Sequence, residues 1–132
     1  MSNPIDTKTI SEIEKYTTDQ RFQYFIREVI KNNHVWILTD EHGCMMLNSE
    51  DEDCVPVWPN QEFANTWATG DWQLCKPEAI DLDIWLTRWT QGLEDDQLSV
   101  VVFPDHNEEG VVLYPTDLSH ELQKKQNKKH KK

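Results

Sequence analysis

The side chains of this 132-residue chain best suited to metal or nucleophile chemistry are three cysteines and five histidines. His42-x-Cys44, with Cys54 and Cys75 downstream, supplies four potential zinc ligands. Structural zinc sites are built from paired Cys or His knuckles about two to four residues apart, and no such pair of pairs exists here. Cys44 and Cys54 sit in apolar stretches, where a thiol packs as a small hydrophobe. The acidic run Glu50-Asp51-Glu52-Asp53 has neither the glycine nor the distal glutamate of a calcium-binding loop, so it reads as a solvated acidic segment. None of Ser2, Ser11, Ser49, Ser99 or Ser119 lies in a G-x-S-x-G elbow. The four glycines, Gly43, Gly70, Gly92 and Gly110, fall at turns and helix ends, leaving none for a phosphate-cradling loop. His34, His42, His106 and His120 are scattered over a strand start, a turn, a loop and a helix surface. A nucleophilic pair such as Cys54 with His106 leaves no local signature, so an enzyme whose site is assembled from distant residues stays open. No cofactor and no metal is expected.

Charge narrows the partners. The chain holds 13 basic and 24 acidic side chains, a formal net of −11. Six lysines crowd into residues 124–132, so residues 1–123 carry 7 basic against 24 acidic groups, or −17. Such a body repels DNA, RNA and anionic membranes. The lysine run cannot bury apolar surface, so a disordered basic tail over 124–132 is expected, capable at most of weak electrostatic contact. No run reaches the roughly 18 apolar residues that span a bilayer, and the first residues lack the basic-then-apolar pattern of a secretory signal. An odd, irregular cysteine set makes no disulfide framework, so a cytoplasmic location with reduced thiols is expected.

The elements around these residues follow from periodicity. Ser11-x-x-Glu14 and Thr17-x-x-Gln20 are capping-box signatures, the first opening a short helix that ends near Tyr16. The second opens a longer helix with Phe22, Phe25, Ile26, Val29 and Ile30 on one face, closed by Asn32-Asn33. Val35 to Leu38 reads as a buried strand, Asp40 to Gly43 as a turn, and Cys44 to Leu47 as the returning strand. Pro56 lacks a ladder donor, so the strand Val55 to Val57 is expected at an edge. A helix follows over residues 60–69, capped by Gly70. Asp81 is the expected N-cap of a helix with Leu82, Trp85, Leu86 and Trp89 at i, i+3, i+4 and i+7, ending at Gly92. Leu98 to Phe103 and Val111 to Tyr114 form a second strand pair, and Thr116 caps a last helix carrying Leu118 and Leu122. Helices segregated from hairpins predict one α+β domain over residues 1–123. Its sheet is antiparallel, of about five strands built from two hairpins plus an edge strand, against four to five helices.

The order of these motifs resembles an uncharacterised bacterial family, domain of unknown function 2750. The resemblance rests on Arg21-Phe22-x-x-Phe25, Val35-Trp36-x-Leu38, Asp40-Glu41-x-Gly43 and Pro56-Val57-Trp58-Pro59-x-x-x-Phe63-Ala64. Ile80-Asp81-Leu82, the Trp85 to Leu93 segment, Val100 to Pro104 and the Pro115 to Leu122 helix extend it over about residues 15–123. The resemblance implies no activity, cofactor or catalytic residue, and the lysine tail lies outside it.

The aromatics supply the remaining candidates. Trp85, Trp89 and Trp36 lie on apolar patterns and belong to a core. Trp58 and Trp72 flank a helix beside Pro, Gly or Asp, and are the aromatics placed to anchor a partner at a surface. Together with Glu50, Asp51, Glu52 and Asp53 they form the expected partner surface of a small cytosolic, non-enzymatic interaction domain. A specific form is an immunity protein or inhibitor whose acidic face covers a basic partner such as a nuclease toxin. The protein partner itself and the oligomeric state are not legible.

Overall fold

Thr17 and Gln20 exchange the two hydrogen bonds of a capping box. The Thr17 N–H donates to Gln20 Oε1 at 2.9 Å and the Gln20 N–H to Thr17 Oγ1 at 3.2 Å. The computed structural model describes residues 7–41, 43–44, 46–49, 52–67, 74–104 and 110–130. The capping box opens helix α2 (Thr18–Asn32), which Asn33 closes in the left-handed conformation at φ 65° with its N–H on the Val29 carbonyl. Helix α1 (Thr7–Glu14) precedes it and is held by buried Ile13. Ser11 lies inside α1 rather than capping it, because the helix starts a turn earlier than the capping signature implies.

Seven strands follow: β1 (His34–Asp40), β2 (Gly43–Cys44), β3 (Leu47–Ser49), β4 (Glu52–Val57), β5 (Lys76–Asp81), β6 (Ser99–Val102) and β7 (Val111–Leu113). Between them lie α3 (Gln61–Thr66), α4 (Leu82–Ile84), a π-helical turn (Trp85–Trp89) and α5 (Thr90–Asp95). Helix α6 (Pro115–His130) closes the described chain. The class is α+β as expected, but the strands form two sheets, β2-β1-β5 and β3-β4-β6-β7, rather than one. One pairing is parallel, β4 with β6, and the others are antiparallel. The return segment pairs first with β1 and then with β4, turning at Gly43, whose φ of 123° suits glycine.

Strand β4 is not an edge strand. It lies between β3 and β6, and Pro56 is tolerated there for a geometric reason. Backbone groups of successive strand residues point to opposite sides. Trp58 faces β1, exchanging hydrogen bonds with Trp36, while the Val57 carbonyl faces the other way and accepts from Phe103. By alternation the Pro56 nitrogen therefore points away from β6, into the interval between the last β3 partner, Cys54, and Trp58. The missing donor costs no ladder bond.

The core lies where the two sheets meet the helices. Phe25 and Val29 of α2 pack with Val35, Ile37, Val55, Val57, Val100 and Val102, all nearly inaccessible. Leu118 and Leu122 of α6, with Leu82, Trp85 and Leu93, close it. Asp81 ends β5 and makes no side-chain cap, and the helix it precedes runs past Gly92 to Asp95. At the π turn the Thr90 hydroxyl donates to the Trp85 carbonyl at 2.9 Å. A hydroxyl has one proton, so in the 2.5 Å contact between Thr90 and Ser119 it is Ser119 that donates, tying the turn to α6.

Helix α6 departs from the expected disorder of residues 124–132, since it continues to His130. Lysine is a good helix former, and cations in a last turn complement the helix dipole. Pro115, rather than Thr116, starts this helix, where its fixed φ and missing N–H cost nothing. Among the described residues no helix is long and apolar enough to cross a membrane.

Trp85 is fully buried and stacks on Trp89 with ring centroids 5.6 Å apart. Trp85→Ala is expected to destabilise the fold by about 3–5 kcal/mol. Denaturant titration checks this, and a loss under about 1 kcal/mol would contradict the packing described.

Candidate functional site

Of the acidic and aromatic residues singled out above, Glu52, Asp53 and Trp58 are described. Trp58 is fully buried, which corrects its expected place at the surface. Its backbone is locked to Trp36 in an antiparallel bridge, and its indole packs on Trp67 at 5.8 Å, so the corner turns its aromatic inward. Asp53 is exposed on β4, and Glu52 contributes backbone pairing to Ser49. Glu50, Asp51 and Trp72 lie outside the described residues, as do His42 and His106. Cys54 is inaccessible. His34 pairs with Asp81 at 3.2 Å across the β1–β5 ladder, and His120 is exposed on α6. Among the described residues no three His, Cys, Asp or Glu side chains cluster as metal ligands.

What the fold does bring together is an arginine and a set of rings at the carboxyl ends of the parallel strands β4 and β6. Arg21, on the buried face of α2, is 4% exposed. Its guanidinium donates from Nε to the Phe103 carbonyl at 2.9 Å, from Nη2 to the Pro104 carbonyl at 3.1 Å, and from Nη1 to the Ile13 carbonyl at 3.4 Å. It also lies 3.9 Å over the Phe103 ring. Phe103 packs edge-on to Phe63 at 4.8 Å and beside Tyr24 at 6.0 Å, and Tyr16 meets Tyr24 edge-on at 6.2 Å. Asn60, buried at the start of α3, accepts the Phe63 N–H on Oδ1 and completes the group, while its Nδ2 makes no hydrogen bond within the described residues. Arg21 stands three and four residues before Tyr24 and Phe25. That helical spacing carried it onto the apolar stripe and was the sequence signal for its burial.

The electrostatics of this group suit binding and packing better than proton transfer. Burial, reinforced by the Glu28 carboxylate and opposed by Asn60 and Arg27, pushes the Tyr24 phenol from 10.0 up to about 12. Tyr24 is therefore a neutral donor at physiological pH. Burial, with Asp40 nearby, likewise pushes the Cys75 thiol up, away from the thiolate a nucleophile requires. Arg21 spends its donors on main-chain carbonyls.

A second feature is the outer edge of the three-stranded sheet. Strand β5 pairs with β1 on one side and has no strand on the other among the described residues. Along it and into α4, Glu78, Asp81 and Asp83 are exposed. Leu74, just before β5, is 82% exposed, and Ile84 is 38% exposed. Two apolar side chains thus flank three carboxylates and the exposed Lys76 on one continuous segment, a pattern that the helical and strand periods alone did not single out.

The family model described as "Protein of unknown function (DUF2750)" matches residues 22–122. No curated protein matches the chain.

Two outcomes test the arginine and tyrosine assignments. Arg21→Leu leaves the Phe103, Pro104 and Ile13 carbonyls without their donor and should cost at least about 3 kcal/mol in denaturant titration. For Tyr24, the folded state holds the phenolic proton more tightly than the unfolded chain. Its contribution to stability is complete below pH 10.0 and is lost as pH rises through about 12. Melting curves over that window should show a stability loss that Tyr24→Phe removes.

Proposed function

The chain belongs to the DUF2750 family, and we propose that it is a cytoplasmic, non-catalytic protein-binding domain whose acidic body receives a basic partner surface. The observation that carries this reading is the exposed β5–α4 segment, where Glu78, Asp81 and Asp83 lie between the apolar anchors Leu74 and Ile84. Exposed apolar residues beside like charges are the composition of a rim-and-anchor interface, with the carboxylates steering a cationic partner and the apolar groups holding it. Acidic residues on an edge that has no strand beside it among the described residues also keep two copies of the strand from pairing, so the partner meets side chains rather than extending the sheet. The net charge of −17 over residues 1–123 adds long-range attraction for the same class of partner. The protonated state of Tyr24 and Cys75 supports binding over catalysis, because the groups whose pKa is displaced move away from neutrality rather than toward it. A buried thiol at Cys75 suits a reducing compartment.

The test is retention of a protein from nuclease-treated bacterial lysate by the full chain, compared with Glu78→Lys/Asp81→Lys/Asp83→Lys. The parent should retain a basic protein near stoichiometry at about 0.15 M salt and release it near 1 M, where the Debye length falls to about 3 Å. The triple variant, with an unchanged melting temperature, should retain none. Equal retention by both chains, or turnover of a small molecule by the purified parent, would overturn the reading.

A further inference from the structure

We propose that residues 123–130 of α6 form a cationic arm that binds the phosphate backbone of duplex nucleic acid without reading its sequence. The arm is separate from the acidic interface above, and the family match ends one residue before it, at Leu122. Leu118 and Leu122 are the last buried apolar anchors of α6; Gln123, Lys124, Lys125 and Asn127 beyond them are exposed and Gln126 is half-buried. Because the segment is helical through His130, its backbone positions have a defined arrangement. At about 100° per residue, backbone positions 124, 125, 128 and 129 fall within an arc of about 140°, as two rows whose members are about 6 Å apart along the axis. Positions 123, 126, 127 and 130, with Gln, Gln, Asn and His, take the other side. Lys124 and Lys125 form no ion pair within the described residues.

The composition selects among anionic partners. Stable anchoring on a bilayer needs buried apolar surface besides basic charge, and positions 123, 126, 127 and 130 carry polar residues. A second copy of the chain brings a net charge of −11 against another −11. Lysines are hydrated point charges rather than planar forks, which suits a regular array of phosphates read by charge alone. Residues 123–130 contain no Phe, Tyr or Trp, the large stacking platforms that single strands use, which favours a duplex. The acidic body sets the conditions. The eight residues of the arm span about 12 Å. That exceeds the Debye length of about 8 Å at 0.15 M salt but falls well short of about 30 Å at 0.01 M. At physiological ionic strength the far lysines escape the repulsion between body and phosphate, and at very low salt they do not.

The experiment is fluorescence anisotropy of a labelled duplex DNA with the full chain at about 0.01, 0.1 and 1 M salt. Affinity should be greatest at the middle concentration and fall at least tenfold toward about 1 M, as release of counterions from about four phosphates requires. Lys124→Glu/Lys125→Glu/Lys128→Glu/Lys129→Glu, with an unchanged melting temperature, should not bind. No binding by the parent at any salt, or equal binding by the variant, overturns the proposal. Binding to anionic vesicles without binding to duplex overturns it as well, as does a salt-sensitive doubling of sedimentation mass in the absence of DNA. Affinity that keeps rising down to about 0.01 M would overturn the role given to the acidic body.

Discussion

Trp36 and Trp58 exchange two backbone hydrogen bonds, at 3.1 and 2.9 Å, at the only place where the described strands of the two sheets meet in a bridge. Because of that bridge the β1 side and the β4 side of the fold share one hydrophobic core instead of building two small ones, which a domain of this length could not stabilise separately. It also accounts for the position of Pro56 inside a sheet and for the burial of the Trp58 indole. The same segment leaves β4 and enters α3, so the bridge sets where Asn60, Phe63 and Trp67 stand.

Arg21 plays the corresponding part on the other side of the parallel strands. Phe103 has a φ of 47°, a left-handed conformation that costs a bulky residue about 1–2 kcal/mol. It is held there by three constraints: its N–H on the Val57 carbonyl at 2.7 Å, its carbonyl on Arg21 Nε, and the guanidinium over its ring. The arginine therefore ties the last turn of α1, the α2 helix and the end of β6 into one unit. Its guanidinium is directed into the scaffold, so the aromatic group around it reads as architecture.

Charge is segregated along the chain, and the fold keeps it segregated. The exposed carboxylates of β5 and α4 occupy a sheet edge, whereas Lys124 and Lys125 lie on α6 past its last apolar anchor. Residues 1–123 carry a formal −17 and residues 124–132 six lysines, so the two stretches attract ions of opposite sign. Ionic strength decides how independently the two ends act.

Local chemistry was enough to determine the Thr17 capping box, the Asn33 stop, the apolar stripe of α2, the strands around Val35 and Val100 and the α+β class, because each depends on residues within a few positions of one another. The π turn at Trp85–Trp89, the parallel pairing of β4 with β6 and the central place of β4 depend on partners far away in sequence, such as Ser119 for Thr90 and Ser99 for Cys54. The burial of Trp58 is of the same kind, since its neighbours Pro59 and Asn60 suggest a surface corner and only the bridge to Trp36 turns it inward. Arg21 is intermediate: its spacing to Phe25 placed it on the buried face, but two of the three carbonyls that receive its donors lie more than eighty residues away. Sequence by itself determined the elements and the charge of the two ends, since these are local or additive. Which surfaces are exposed, and which aromatic is core, was decided by the tertiary structure, because burial is a property of contacts between segments.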